Sequence, residues 1–349
     1  MKILYHAPSL DSIYANRTIY TGYKNAFINM GHKFEPLTAE HNFVEKIENF
    51  QPDLFITSSH FWYRKYINYD AMKSFRKNGL FVLTKIDFWD SPISRARINE
   101  AKSLRSDKKA VSLIRQELLG DDYFHVVEND DVRMIGFQKE FGFGFHTIPL
   151  AADAFNASGR IRNKFIADIS YIGTNLPDKR DFFKNYVYPM KAMAQLKIYG
   201  QDWTKVDKLK GFIQKIGQYY NIPALRTLQR PKLELSDEAD IYKSSLISIN
   251  VHEKYQRQFG GDCNERTFKI PYAGGFQIVD NVACIKKYFK EGEEIIVGEN
   301  GSDWQEKVRY YLDNPNKRNE IIQAGKERVL KEHTYTHRAK QMLKIAKLL

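Results

Sequence analysis

The stretch of residues 246–280 limits the choice of fold more than any other part of the chain. Residues 246–252 are apolar and rich in β-branched side chains, as in a buried strand, and Gly260-Gly261-Asp262 follows as a turn that ends in a capping acid. A short helix is predicted from there to the glycine pair at 274–275, before a second apolar strand at 276–279. This order predicts a βαβ unit of a parallel sheet. In such a unit a phosphorylated ligand binds at the helix N-terminus, beyond the carboxyl ends of the strands.

The length of 349 residues suits two medium-sized domains, each with its own core. Hydrophobic residues make up 43% and charged residues 28% of the chain, as in ordinary globular proteins. No apolar run approaches the length of a membrane span, and the first residues turn polar too early for a signal peptide, so a cytoplasmic location is expected. Cys263 and Cys284 form no ligand pattern such as CxxC. Neither a structural metal nor a cofactor is therefore expected.

A series of motifs follows Arg266-Thr267-Phe268 in a fixed order: residues 289–294 (FKEGEE), 310–315 (YYLDNP), 324–330 (AGKERVL) and 333–335 (HTY). Over residues 165–345 this series resembles the C-terminal half of the CgeB-like glycosyltransferases, which have the two-domain GT-B architecture. The resemblance implies an α/β fold with two Rossmann-like, doubly wound domains that face a central cleft. It also implies transfer of a sugar from a nucleotide-diphosphate sugar to a hydroxyl acceptor without a metal. The N-terminal half resembles the family in layout only.

Three segments follow from this layout. Residues 1–154 are predicted to be an acceptor domain and residues 155–335 a donor domain, with a charged linker at 154–164 ahead of the donor domain's first strand. Residues 336–349 carry an apolar stripe, and the terminal helix of GT-B proteins crosses back to the N-terminal domain. Apolar runs predict further strands, at residues 2–7, 54–57, 80–86, 123–127, 146–150 and 166–172.

The donor site is predicted from strand ends and from the resemblance. In related GT-B enzymes a basic residue after the strand at 166–172 grips the donor diphosphate, and Lys179 and Arg180 match it by position. The next strand and turn, at 196–203, accommodate the nucleotide base in the family. Arg266 adds a guanidinium at the helix start that can stabilise the leaving diphosphate. The predicted donor residues are Gly173, Lys179, Arg180, Tyr199, Gly200, His252, Glu265, Arg266, Thr267 and Lys269.

Lys269 departs from the family pattern. CgeB-like proteins usually keep an acid here, which holds the nucleotide ribose through its two hydroxyls, and a lysine cannot accept those hydrogen bonds. Glu265 lies one helical turn earlier, where it can pair with Lys269 or take over the ribose contact. Three alternatives remain: the ribose is bound differently, the donor is unusual, or donor binding is lost. The last alternative describes a non-catalytic carbohydrate-binding protein.

The acceptor site is predicted at strand ends of the first domain. Asp87 follows the strand at 80–86, where a carboxylate can take a proton from an acceptor hydroxyl. The bacteriophage DNA β-glucosyltransferase, a GT-B enzyme that the chain resembles more weakly, carries a catalytic aspartate at a similar place. The alternative is that Asp87 or Asp90 caps a turn or helix. Catalysis is thus assigned to Asp87 and Arg266, and the expected acceptor contacts are Tyr14, Arg17, His60 and Trp62.

The formal charge of +12 indicates an anionic partner, although it can also serve solubility alone. A cell-surface or lipid-linked glycan is the acceptor that the family favours, and modified DNA is the main alternative. Val206, Leu209, Ile213, Ile216 and Tyr220 recur at helical spacing among lysines, which predicts an amphipathic basic helix. Its apolar stripe is expected to pack on its own domain. The alternative is that the helix lies on an anionic membrane.

Overall fold

The computed structural model describes residues 1–10, 15–91, 103–153, 159–220, 222–229 and 233–349. The chain divides into two compact units. Unit 1 comprises Met1–Pro149 together with Tyr335–Leu349, and unit 2 comprises Leu150–Thr334. The predicted linker at 154–164 lies partly outside the described residues.

Unit 1 contains a sheet of six parallel strands in the order β2-β1-β3-β4-β5-β6. The strands are β1 (Lys2–His6), β2 (Lys33–Leu37), β3 (Leu54–Ser58), β4 (Phe81–Lys85), β5 (Asp122–His125) and β6 (His146–Thr147). The helices between them are α1 (Ala15–Asn29), α2 (Phe43–Phe50), α3 (Phe61–Arg64), α4 (Tyr69–Lys77), α5 (Lys108–Arg115) and α6 (Ile135–Phe141).

Unit 2 contains a sheet of five parallel strands in the order β11-β10-β9-β7-β8. The strands are β7 (Ala167–Ile172), β8 (Leu196–Tyr199), β9 (Ser245–Asn250), β10 (Gln277–Asp280) and β11 (Ile296–Gly298). The helices are α7 (Arg180–Phe182), α8 (Lys205–Tyr219), α9 (Pro223–Arg226), α10 (Leu235–Ser244), α11 (Lys254–Phe259), α12 (Arg266–Tyr272), α13 (Ile285–Tyr288), α14 (Gly301–Asp313) and α15 (Pro315–Glu332).

The central strands are buried along almost their whole length, as expected for parallel strands with both faces covered. All five residues of β3 are buried, and so are five of the six residues of β7. Strands that alternate apolar and polar residues suit sheets with one wet face, whereas continuous apolar runs suit covered parallel sheets. The predicted α/β class with parallel, doubly wound sheets is confirmed.

Strand β2 was not predicted, and its sequence explains why. Lys33-Phe34-Glu35-Pro36-Leu37 alternates in polarity and contains a proline, which cannot donate to a neighbouring strand. The strand lies at the edge of the sheet and pairs with β1 alone, where a proline is tolerated.

The last helix, α16 (Tyr335–Ile345), belongs to unit 1 and packs against α1. Tyr335, Ala339, Met342 and Leu343 on its apolar stripe are almost fully buried. The rings of Tyr335 and Tyr23 meet edge to face with their centroids 5.1 Å apart. Among the described residues, no helix combines enough length with enough apolar character to cross a bilayer.

The prediction for the amphipathic helix was wrong in one respect. Helix α8 forms where expected, but Val206, Leu209 and Tyr220 of its apolar stripe are exposed instead of packed on the unit. Its buried residues are small or polar.

Candidate functional site

The order of the strands in unit 2 points to one place on the sheet. β8 lies on one side of β7 and the later strands lie on the other, so the chain changes direction between β7 and β9. Ligands of open α/β sheets bind beyond the carboxyl ends of the strands at such a switch point. These two strands end at Ile172 and Asn250.

The guanidinium of Arg266 spans this switch point. Its Nη1 donates to the carbonyl of Ile172 at 3.0 Å, its Nη2 to the carbonyl of Val251 at 2.8 Å, and its Nε to Oδ1 of Asn250 at 3.1 Å. A guanidinium has five N–H groups, so one on each Nη remains without a hydrogen bond to a described residue. Arg266 therefore joins the ends of β7 and β9 and keeps two donors for an anion.

Two glycines make room around Arg266. A Cβ added to Gly173 would lie 2.8 Å from Nη1 of Arg266, so only glycine lets the guanidinium reach the end of β7. Gly200 has a φ of +120°, and its added Cβ would collide with the carbonyl of Gly173. The indole Nε1 of Trp203 also donates to this carbonyl, at 2.9 Å. The loops after β7 and β8 thus pack closely, with Tyr199 at the end of β8 between them and Phe165.

The two basic residues after β7 differ in burial. Lys179 is 4% exposed, whereas Arg180 is exposed at the start of α7. Among the described residues, no carboxylate lies within ion-pair distance of the Lys179 ammonium. A buried cation without a counter-charge is costly, and an anionic ligand would offset the cost. Lys179 is therefore the better placed of the two predicted phosphate contacts.

His252 belongs to a buried polar cluster instead of facing outward. The ring is fully buried, with Nδ1 2.6 Å from Oδ1 of Asp280 and Nε2 3.2 Å from Oγ1 of Thr267. Burial alone would raise the pKa of Asp280, but His252 and the neighbouring Arg257 outweigh it and lower that pKa. Both ring nitrogens are occupied, so the expected direct contact of His252 with a donor is not what the structure places there. His252 holds Thr267.

The same cluster fixes the start of α12. Oδ1 of Asn264 accepts from the backbone N–H of Thr267 at 3.3 Å, and its amide donates to Asn250 at 2.9 Å. The side chain of Asn264 thereby takes one of the helix-start N–H groups that the sequence assigned to a phosphate. Helix α12 has only seven residues, with Pro271 inside it. The start of α12 therefore offers a phosphate fewer backbone N–H groups than the sequence predicted.

Lys269 lies between two carboxylates. Its ammonium is 3.5 Å from Glu265 and 3.3 Å from Glu238 of α10, a residue that the sequence did not single out. Burial lowers the pKa of Lys269, but the two carboxylates outweigh burial and raise that pKa above 10.5. The expected pair with Glu265 is present, and Glu238 supplies a second acid next to the position where the family keeps its own.

In unit 1, Asp87 and Asp90 differ in their contacts. Oδ2 of Asp90 accepts from the backbone N–H of Gly136 at 2.7 Å, near the start of α6. Oδ2 of Asp87 is buried, and no described residue forms a hydrogen bond with it. Burial raises the pKa of Asp87 above its ordinary value of 3.8, against the opposing charges of His60 and Lys85. The capping role thus belongs to Asp90, and Asp87 has the features of a general base.

His6 is a candidate that the sequence analysis missed. It ends β1 at the switch point between β1 and β3, where Nδ1 lies 2.9 Å from Oγ1 of Thr57. Nε2 is buried with no hydrogen-bond partner in the part of the chain that the structure describes, and burial lowers the pKa of His6 to about 3. Tyr63 contacts the imidazole edge to face, and the charge of Asp87 adds to burial in raising the pKa of that tyrosine to about 12. The sequence feature that could have identified His6 is a histidine at the end of an apolar first strand.

The remaining predicted acceptor residues are less well placed for direct contact. His60 caps α3, accepting from the backbone N–H of Trp62 at 3.3 Å, and Trp62 is half-buried under the ammonium of Lys65. Arg17 lies in the first turn of α1, and its Nε is buried without a hydrogen bond. Tyr14 lies outside the described residues.

Comparison with known proteins gives a partial family match and a whole-chain fold match. Residues 180–344, a little under half of the chain, match a family described as glycosyl transferase-like. No curated protein sequence matches the chain significantly.

Several solved structures share the fold over nearly the entire chain. An alpha-glucosyltransferase in complex with UDP has a TM-score of 0.63 at 11% identity, with 99% of each chain covered. An alpha-glucosyltransferase in complex with UDP-glucose and DNA containing an abasic site has a TM-score of 0.61 at 11% identity, with the same coverage. A glycosyltransferase from Rickettsia africae has a TM-score of 0.59 at 13% identity, covering 99% of this chain and 97% of that one. At these identities the likeness establishes the fold.

The fold and the family match together define the class, which is the glycosyltransferases of GT-B fold. Within that class the finer assignment to the CgeB-like proteins stays a prediction, because the matched family is described only as glycosyl transferase-like.

Proposed function

We propose that the protein transfers a sugar from a nucleotide-diphosphate sugar to a hydroxyl group of a glycan or lipid-linked acceptor. The observation that carries the proposal is Arg266, whose guanidinium spans the switch point of unit 2 and retains two N–H donors. A diphosphate at this place would also neutralise the buried Lys179. UDP and UDP-glucose in the similar alpha-glucosyltransferase structures support a UDP-sugar as the donor.

In the proposed reaction the bond between the anomeric carbon and the diphosphate oxygen breaks, and the acceptor oxygen bonds to that carbon. The hydroxyl proton goes to Asp87, whose raised pKa makes it a stronger base than an ordinary aspartate. Negative charge develops on the leaving diphosphate, where Arg266 and Lys179 stabilise it more in the transition state than in the ground state. These two cations would do the work that a metal ion does in other transferases.

The arrangement around Lys269 supports retained donor binding. Glu265 and Glu238 lie within 3.5 Å of its ammonium, so two carboxylates lie beside the position of the missing family acid. We propose that Glu265 accepts from a ribose hydroxyl when the donor is bound. We favour this interpretation over a non-catalytic carbohydrate-binding protein. A protein that binds no nucleotide would need neither Arg266 at the switch point nor a buried Lys179 without a counter-charge.

DNA is the second candidate acceptor, and a specific observation favours it. The chain has a net charge of +12, and one of the similar alpha-glucosyltransferase structures contains DNA. Phosphate contacts release counterions, so binding to DNA should weaken steeply as salt concentration rises. Transfer to a neutral glycan should be nearly independent of salt. Measuring transfer to both acceptors at 50 and 200 mM salt, concentrations on the order of those where this effect is large, separates them.

A thermal-shift screen with UDP, GDP and TDP tests the proposal directly. One of these should raise the melting temperature of the wild-type protein, because a ligand that binds only the folded state stabilises it. Arg266→Ala should remove the shift, and Arg309→Ala, which deletes an exposed arginine of α14, should keep it. Because Arg266 also joins two strands, binding to Arg266→Ala is measured by calorimetry well below its own melting temperature. Unchanged affinity in that variant would refute the assignment.

A further inference from the structure

Helix α8 buries its less apolar side. Its buried residues Asp207, Gly211, Gln214 and Gly217 recur at spacings of three and four. A Cβ added to Gly211 would lie 2.7 Å from Oε1 of Gln229, and one added to Gly217 would lie 2.5 Å from Cβ of Leu225. Glycines on this side therefore let the segment that contains α9 pack directly on the α8 backbone.

The opposite side of α8 leaves large apolar side chains in solvent. Val206, Leu209 and Phe212 are 61–62% exposed, and Tyr220 just beyond the helix is 67% exposed. A single exposed leucine is ordinary in a folded protein. Val206, Leu209 and Phe212 recur at spacings of three on this side and Tyr220 lies just beyond its end, and grouped apolar residues of this kind mark interaction sites. These four residues are called the α8 face below.

Cations surround the α8 face, and the helix exposes no acid. Lys205, Lys208 and Lys210 are exposed and Lys215 is half-buried. The one acidic residue of α8, Asp207, is 8% exposed, and its backbone N–H donates to the side chain of Thr204 at 3.2 Å. The surface of α8 is therefore both apolar and positively charged.

We propose that the α8 face docks on an anionic membrane surface. A helix with apolar residues on one side and lysines beside them lies in the plane of the lipid headgroups, with its apolar residues among the acyl chains. Each lysine near such a surface gains about 1 kcal/mol from anionic lipids. A second copy of this chain fits less well, since the chain carries a net charge of +12 and two α8 faces would bring eight lysines together.

Sedimentation with lipid vesicles tests the proposal. The full chain should bind vesicles of phosphatidylglycerol and phosphatidylcholine, and bind pure phosphatidylcholine much more weakly. Leu209→Glu should lower the partition coefficient by about tenfold or more, because it removes an inserted leucine and adds a repelled charge. Lys208→Gln should lower it on the order of fivefold.

The matched control is Ile161→Glu. Ile161 is 68% exposed in the same unit, so this variant makes the same change of charge and side-chain class away from α8. Its partition coefficient should stay within about twofold of wild type. All three variants alter exposed residues, and circular dichroism melting confirms that they fold.

Three results would overturn the proposal. One is the absence of binding to anionic vesicles at low salt. Another is an equal loss of binding in Leu209→Glu and Ile161→Glu, which would assign the binding to net charge alone. The third is self-association of the wild-type chain that Leu209→Glu abolishes while vesicle binding persists, which would assign the α8 face to a second copy.

Discussion

At the scale of single residues, the candidate site depends on which polar atoms the fold has already used. His252 was predicted from the sequence to contact the donor, yet both of its ring nitrogens are occupied by protein groups. Asp90, which the sequence offered as a cap, does accept from a backbone N–H. Asp87 and Arg266 keep unsatisfied atoms at strand ends. A buried polar atom without a partner costs free energy, so its presence at a switch point indicates a ligand more strongly than residue type does.

Asp87→Asn should reduce transfer by about 10²–10⁴-fold, because the variant cannot take the acceptor proton. The folded-state pKa of Asp87 is raised by burial, so the stability that its protonated form contributes is lost as pH rises from 3.8 through that raised value. The asparagine variant should therefore be at least as stable as wild type at pH 7. Chemical denaturation and a transfer assay measure the two effects.

The matched control for this prediction is Asp90→Asn in the same loop. Asp90 accepts from Gly136 and pairs with Arg105, so the variant should lose stability and keep its activity once folded. The same loss of transfer in both variants, with nucleotide binding intact, would contradict a specific role of Asp87.

His6 should make the protein sensitive to acid. Burial lowers the pKa of His6 from 6.5 to about 3, so the neutral form is favoured in the folded state. The contribution of neutral His6 to the free energy of unfolding is fully present above pH 6.5 and is lost as the pH falls toward 3. Between pH 7 and 4.5 the loss should be about 2–3 kcal/mol.

Urea unfolding at pH 7 and pH 4.5 measures how protonation of His6 changes the free energy of unfolding. The difference in free energy of unfolding between wild type and His6→Gln should shrink by about 2–3 kcal/mol at pH 4.5, since glutamine does not titrate. His146→Gln, which removes a half-exposed histidine of the same unit, is the matched control. An equal pH dependence in both variants would show that His6 is not the group responsible.

At the scale of elements, the sequence predicted the strands far better than the contacts between helices. Apolar runs identify β3, β7 and β9 because covered parallel strands are apolar throughout. Helix α8 was assigned correctly as a helix, but periodicity does not tell which side a neighbour covers. Gly211 and Gly217 decide that question through close packing, which is visible only when the neighbour is in place.

Lys269 links α12 to α10 across 31 residues of sequence, a contact that no local pattern indicated. Lys269→Met should destabilise the protein by about 3–5 kcal/mol, because it removes the cation that lies between the buried Glu265 and the half-buried Glu238. The double variant Lys269→Met/Glu238→Gln should regain a substantial part of that loss. Chemical denaturation of the three proteins measures the coupling.

Lys317→Met is the control for Lys269. Lys317 pairs with Glu320 at 2.8 Å, but both side chains are exposed, so its removal should change stability far less than Lys269→Met does. A comparably small effect of Lys269→Met would mean that Glu238 and Glu265 do not depend on the ammonium.

At the scale of the whole molecule, the sequence predicted two Rossmann-like parts but not the order of their strands. The switch point of unit 1 depends on β2, whose proline hid it, and therefore His6 was not recognised at the carboxyl end of β1. The switch point of unit 2 lies between β7 and β9, and Arg266 meets it through backbone carbonyls 94 and 15 residues away. Motif order identified Arg266, but only the assembled sheet shows what it joins.

The last fifteen residues belong to unit 1 although they follow unit 2 in the chain, and this separation can be tested. The ring of Tyr335 lies where a Cβ on Gly22 would be, and it contacts Tyr23. Tyr335→Ala should leave a cavity between α16 and α1 and cost about 3–5 kcal/mol, as for other buried aromatic residues. Hydrogen exchange should rise first in peptides of α1, because the lost contacts are made there. Tyr310→Ala, which removes a half-exposed ring of unit 2, should leave exchange in α1 unchanged. If Tyr335→Ala raised exchange in unit 2 and not in α1, the terminal helix would have to stabilise a different part of the molecule from the one it contacts.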